Sequence, residues 1–352
     1  MNFKSTLMGL ALATFATTAS AEMVLRYTDG GPNRGARAAA QTYFAEQVAE
    51  LSGGDLKLDI HWGGALLKFK AALGGIGAGT ADLGAVIAVY TPNELKAMTI
   101  GDLPGANSDA WVGMRAMYEL MTTNEQMKQV LAKQNVVYIG NFTTTAVQME
   151  CAPGHDVQTV EDIKGKKMRA SGVYAKVLGD LGATMVNMTY DKVYQALDSG
   201  LIDCSAGYVY TTKAYKLHEV ADTLTLSNWG QVAGFGIVMN KDTFEELSPE
   251  LQAVMLEAGS KMTDHFAQLQ IEDFDSTVAA IKSGELGSKV TVTAMAEEER
   301  AKLFAAGEPY VASWKSDMNA AGYDGDGIYN DFQALIAKYE GERDSKGYPW
   351  AR

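Results

Sequence analysis

Twice along this chain, runs with strand-like alternation are followed by runs with helical spacing, and the pattern stops and restarts past the middle. "MVLRYTDGG" (23–31) alternates apolar and polar residues and ends in a glycine turn. "GARAAAQTYFAEQVAELSGG" (35–54) has the spacing of a helix and a glycine stop. "LKLDIHW" alternates again, "KFKAALGGIGAG" returns to helix, and "ADLGAVIA" is apolar enough for a buried strand. The second series runs through "VVYIGNF", "AVQMEC", "KKMRA", "VYAKVLGDLG", "DKVYQALDSG" and "LIDCSAG". Strands alternating with helices build parallel or mixed sheets of the α/β type. A second such unit after the first predicts two domains with a cleft between them. From about Asp242 the pattern becomes helical ("TFEELSPELQAVMLEAGSKMTDHFAQLQIEDFDSTVAAI"), a run long enough to lie along both.

The N-terminus points outside the cytoplasm. A basic "MNFK", an apolar "STLMGLALATFATT" and the small-residue "ASA" (19–21) have the order of a secretory signal peptide, so residues 1–21 are expected to be removed, leaving Glu22 first. No later stretch reaches the roughly 18 apolar residues of a spanning helix, so membrane insertion is not expected. The formal net charge of −13 opposes nucleic acid as a partner, which calls for a clustered basic surface. It leaves room for a small anion, because exposed charges beyond about 8–10 Å are screened. In an oxidising compartment Cys151 and Cys204 can form a disulfide; two buried thiols are the alternative.

Catalytic and cofactor motifs are missing. "GGIGAGTADLG" does not meet the dinucleotide spacing: counted from Gly75, the last position is Thr80, and these glycines close a helix instead of opening one. "DGDG" (324–327) starts like a calcium loop, but Ile328 occupies a ligand position, so a turn is expected. The four histidines are scattered and none has zinc spacing to a cysteine. No cofactor, no metal and no enzymatic activity are therefore expected.

The aromatics fall at strand-to-loop junctions, where open α/β sheets place ligands. Trp62 ends one strand, Tyr190 precedes a helix, Tyr208 and Tyr210 follow a strand, and Trp229 lies in "LSNWGQ". Arg169 sits at the same kind of junction, at the end of "KKMR" and before Ala170, Ser171 and Gly172. A guanidinium there presents a planar fork for a carboxylate or sulfonate; an exposed or acid-paired arginine is the plainer reading. Asn33 and Arg34 stand at a helix start, where backbone N–H groups favour an anion.

Residues 160–204 carry a resemblance. "DIKGKKMR", "LGATMVNM", "KVYQAL" and "GLIDC" follow one another as in the DctP-type solute-binding proteins of TRAP transporters, and "GGDLKLDIHWGGALL" and "GTADLGAV" resemble the family's first domain. The resemblance implies a two-domain, Venus-flytrap-like α/β fold of the periplasmic-binding-protein kind with a long connecting helix. Domain I would take 22–146 plus about 233–272. Domain II would take 147–232 plus about 273–352, with the C-terminal helices packing across both. It further implies a monomer in the periplasm that delivers a small organic anion to a small and a large membrane subunit driven by an ion gradient. Arg169 matches the arginine that pairs with the ligand's acid, and Tyr190 an aromatic position of the pocket.

Three departures bear on the ligand. Gly207, in "DCSAGY", replaces an asparagine of the family, leaving Tyr208 or Tyr210 to fill the space. Trp62 replaces a proline, with Lys68 and Lys70 following. A second arginine of acid-sugar binders is replaced near Gln148. The expected ligand is a small carboxylate, a hydroxy or keto acid, or a sulfonate. The competing readings are the binding module of an ATP-driven importer or sensor, and a secreted hydrolase.

Overall fold

The structure is a computed structural model and describes residues 22–105, 107–287 and 290–352; the expected signal peptide at 1–21 lies outside them. In chain order, β1 (Met23–Thr28), α1 (Gly35–Leu51), β2 (Leu56–His61), α2 (Phe69–Gly77) and β3 (Leu83–Ile87) come first. Then α3 (Ala110–Thr123) and α4 (Glu125–Ala132) lead to β4 (Val136–Gly140). The next series is β5 (Val147–Cys151), β6 (Lys167–Arg169), α5 (Gly172–Asp180), β7 (Thr184–Met185), α6 (Val193–Asp198), β8 (Cys204–Gly207), α7 (Val209–Ala214) and β9 (Thr223–Trp229). The chain ends with β10 (Phe235–Asn240), α8 (Lys241–Glu246), α9 (Pro249–Ser283), β11 (Thr291–Ala294), α10 (Glu297–Ala320) and α11 (Gly325–Lys346).

These strands form two mixed sheets, one per lobe. The first has the order β2-β1-β3-β10-β4 and the second β11-β9-β5-β8-β6-β7. In the first sheet β1 runs parallel to β2 and β3, while β10, arriving from the other lobe, is antiparallel to β3 and β4. All of β3 is buried, as its unbroken apolar run predicts for a central strand. It approaches β1 so closely that a Cβ on Gly84 would lie 2.4 Å from the Thr28 carbonyl oxygen. In the second sheet Cys151 of β5 and Cys204 of β8 are register partners, and a disulfide joins them.

Two chain segments cross between the lobes side by side, 141–146 and 230–234. Gln231 Nε2 donates to the Thr144 carbonyl at 2.8 Å, and Val232 N–H donates to Thr144 Oγ1 at 3.1 Å. The third connection is α9, 35 residues long, which packs on α1 and α3 of the first lobe and on α7 and β11 of the second. The helical run expected from about Asp242 is divided in the structure into α8 and α9. Ser248 is extended (φ −61°, ψ 156°), and its side chain accepts from Leu251 N–H, with Pro249 opening α9. Proline disfavours the helical conformation of the residue before it, so the break falls at Ser248.

The C-terminal helices divide between the lobes. β11 joins the second sheet and α10 packs on α5 and β9, but α11 lies against α3 of the first lobe. The segment 273–352 thus touches both lobes. "DGDG" does not end as a turn: Asp324 accepts from Gly327 N–H and opens α11. Among the described residues, no helix is long and apolar enough to cross a membrane.

Candidate functional site

The lobes meet over a cavity of about 40 Å³ lined from both sides. From the first lobe come Arg37 of α1, Phe69 of α2, and Ile87, Val89 and Tyr90 at the end of β3, with Phe235 of β10. The second lobe supplies Arg169 and Ser171 after β6, Tyr190 before α6, and Tyr208, Tyr210, Thr211 and Tyr215 around α7. Most of them sit at carboxyl ends of strands or at helix starts, the edge where α/β sheets expose ligand sites; Phe235 opens β10 and Tyr215 follows the end of α7.

Arg169 is 2% exposed. Its Nε donates to the Met188 carbonyl at 3.3 Å and its Nη1 to the Ala206 carbonyl at 3.5 Å. Its Nη2 donates to Tyr90 Oη at 3.1 Å and Ser171 Oγ at 2.8 Å. All four acceptors are neutral, and no carboxylate pairs with Arg169 among the described residues. The Tyr190 ring lies under the guanidinium, 4.8 Å from Cζ to ring centroid.

Tyr90 joins the lobes. Its hydroxyl accepts from Arg169 Nη2 and also from Tyr190 N–H, at 2.9 Å. From Tyr190 the aromatic wall continues in steps: Tyr190 stacks on Tyr208 at 5.8 Å, and Tyr208 on Tyr210 at 5.9 Å. Thr211 Oγ1 donates to the Tyr208 carbonyl at 2.5 Å, so its 2.7 Å contact with Tyr190 Oη is one in which the tyrosine donates. Burial pushes the phenols of Tyr190, Tyr208, Tyr210 and Tyr215 above their ordinary range, and all four stay neutral hydroxyls at physiological pH.

Arg37 also lines the cavity, paired with Asp29 at 2.8 Å. Desolvation pulls its pKa down, and Asp29 with nearby tyrosines pushes it back above the ordinary value. Behind Tyr190 lies Glu150, 1% exposed, whose Oε1 accepts from Thr212 Oγ1 while Oε2 has no partner among the described residues. Burial pushes its carboxyl up to about 7. Among the described residues, no three His, Cys, Asp or Glu side chains are gathered to hold a metal.

Of the sequence candidates, Arg169, Tyr190, Tyr208 and Tyr210 come together on the cavity. Gly207 lies directly behind: a Cβ there would fall 2.4 Å from Tyr190 Oη, so glycine leaves space for the phenol. Five others do not line the cavity. Gln148 is consumed by the backbone and side chain of Asn228, at 2.9 Å each, which it holds in a left-handed turn (φ 43°). Trp229 is fully buried edge-on to Tyr174, 4.7 Å away. Trp62 is half-buried beyond β2, and Asn33 is exposed in the loop before α1. Arg34 donates to the Ala214 carbonyl and tethers α1 to α7 across the lobes. From the start of α1 it is Arg37, three residues on, that reaches the cavity. Tyr90 was open to the same strand-end reading that selected Trp62. Nothing in the alanine-rich run around Arg37 marks it as buried.

The fold has counterparts among solved structures. A TRAP solute-binding protein from Rhodoferax ferrireducens T118 matches with a TM-score of 0.81 at 21% identity, over 91% of this chain and 99% of that one. An extracytoplasmic solute receptor of Bordetella pertussis matches with a TM-score of 0.78 at 20% identity, over 89% and 100%. In sequence, a solute-binding protein of Sulfitobacter sp. (strain NAS-14.1) is 25% identical over 89% of this chain and 93% of its own length. The C4-dicarboxylate-binding periplasmic protein DctP of Rhodobacter capsulatus is 24% identical over 73% and 76%. Residues 32–317 match the model of the bacterial extracellular solute-binding proteins, family 7. With that match over most of its length and the two-lobed fold around the Arg169 cavity, the chain belongs to this family, the DctP-type solute-binding proteins of TRAP transporters.

Proposed function

We propose that the protein captures a small organic acid between its lobes in the periplasm, docks the acid group on Arg169, and hands it to the membrane subunits of a TRAP transporter. One observation carries the reading: a guanidinium 2% exposed whose hydrogen-bond acceptors are all neutral. Burying an uncompensated cation costs several kcal/mol, and an incoming anion recovers part of that. Two of the four bonds are long, at 3.3 and 3.5 Å, so charge-assisted bonds to an acid improve on what Arg169 has. The ligands named for proteins of the same fold, benzoate for the Rhodoferax protein and galactonate for one from Advenella mimigardefordensis, have little in common beyond an acid group.

Ligand enters with the lobes apart, since the cavity of about 40 Å³ is far below the roughly 300–1,000 Å³ of small-molecule pockets. The acid meets the Arg169 fork, the crossing segments flex, and Tyr90 returns from the first lobe to close over it. Removing Arg169 leaves the bound acid buried without its partner, a loss of roughly 2–5 kcal/mol. Calorimetry of Arg169→Ala with organic acids that bind the wild type is expected to show affinity lower by well over tenfold, with the melting temperature without ligand retained. Unchanged affinity rejects the docking role.

A further inference from the structure

Resting on the Arg169 reading, the cavity's charges and walls narrow the ligand class. Two guanidiniums line it, but they are not equivalent. Arg37 is 8% exposed and already neutralised by Asp29, itself fully buried, with contacts of 2.8 and 3.1 Å from Nη1. Its Nη2 has no hydrogen-bond partner among the described residues, and Gly31 leaves it room: a Cβ there would fall 1.3 Å away. Arg169 has no such acid. The two arginines and Asp29 together leave one positive charge, which one anionic group balances. A second carboxylate would enter a desolvated site with no charge left to meet it.

Between the arginines run two aromatic rows. On the first lobe, the Arg37 guanidinium lies 5.7 Å from the Phe69 ring, Phe69 lies 5.9 Å from Tyr90, and Tyr90 reaches Arg169. On the second, Arg169 covers Tyr190, followed by Tyr208 and Tyr210 in near-parallel steps of 20° and 13°. No Asn, Gln, Asp or Glu side chain lines the cavity among the described residues; beyond the arginines its polar groups are tyrosine, Ser171 and Thr211 hydroxyls, several already bonded within the wall, which leaves a row of sugar hydroxyls few free partners. Flat faces and one net charge suit a flat, singly charged molecule.

We infer that the ligand is an aromatic monoanion, one carboxylate or sulfonate on an unsaturated ring, in preference to a dicarboxylate or a polyhydroxylated acid. Arg37 then meets at most a neutral acceptor on the ring, such as a hydroxyl or keto oxygen, through Nη2.

The test is calorimetry of the wild-type protein with benzoate, 3-hydroxybenzoate, benzenesulfonate, phthalate, succinate and gluconate. At least one of the three monoanions is expected to bind about tenfold or more tighter than any of the last three. Phthalate keeps the ring and adds a charge, so its loss isolates the charge count. Asp29→Asn is expected to narrow the gap between benzoate and phthalate by freeing the charge of Arg37; should that variant not fold, the wild-type ranking decides. Succinate, phthalate or gluconate within tenfold of the best monoanion overturns the aromatic-monoanion class and leaves the Arg169 site standing. If none of the six binds, the class is overturned, and the acid-docking reading falls with it if Arg169→Ala also leaves every organic-acid response unchanged.

Discussion

Tyr190 is held from three sides. Arg169 lies over its ring, Thr211 accepts from its hydroxyl, and Gly207 makes room for that hydroxyl. A methyl group on Gly207 would come within 2.4 Å of the phenol oxygen, so Gly207→Ala either moves the ring or breaks the Thr211 bond. Overpacking of this kind costs about 1–3 kcal/mol. Gly207→Ala is expected to weaken ligand binding about tenfold in calorimetry, and Thr211→Val less. Wild-type affinity in Gly207→Ala would show that the ring position does not matter to binding. Arg169 could be read from sequence because it closes the contiguous "DIKGKKMR" motif of the family; its strand-end position alone left an exposed or acid-paired arginine as the plainer reading. Arg37 could not, because its burial is decided by Asp29, eight residues earlier on a different element.

Elements show the same division. Most strands and helices before residue 208 follow directly from their alternation or 3.6-residue spacing. The break between α8 and α9 also had its signal, "SPE" at 248–250, a serine cap followed by a proline at the first helical position. β10 is different. Its residues are all buried, and only the return of the chain through 230–234 places it between β3 and β4 instead of in the second sheet. In the second lobe the Cys151–Cys204 bond ties neighbouring strands 53 residues apart in sequence. The chain-entropy model assigns about 4 kcal/mol to such a loop. A Cys151→Ser/Cys204→Ser protein is expected to melt several degrees lower than the wild type, and melting the wild type in reductant should reproduce the drop. Equal melting temperatures would show that the bond adds no stability.

At the scale of the molecule, two buried acids couple stability to pH. Asp102 binds the crossing segment, accepting from Gly234 N–H at 2.7 Å, while its other oxygen has no partner among the described residues. Burial pushes it up to about 7, as it does Glu150. Both pKa values are higher folded than unfolded, so the folded state binds more protons between about pH 4 and 7. The stability these groups allow is therefore fully present below about pH 4 and is lost as pH rises through about 7, on the order of 3 kcal/mol each. Glu150→Gln and Asp102→Asn keep the shape without the charge. Each is expected to match the wild type below about pH 4 and to be more stable than it at pH 8 in denaturant titrations. A difference that does not change with pH would show that these carboxyls titrate normally.

The sequence by itself determined the α/β class, the two-lobed plan, the family and the arginine at the end of β6, because each rests on local periodicity or on a contiguous motif. Tertiary structure decided which side chains face one another across the lobes. Tyr90 and Arg169 are 79 residues apart yet share a hydrogen bond, whereas Trp229, plausible from its strand-end position, and Gln148, plausible from the family resemblance, turn into the packing of their own lobe. Which way a junction residue faces depends on the twist of its sheet and on what packs behind it, and neither is written in the residues next to it.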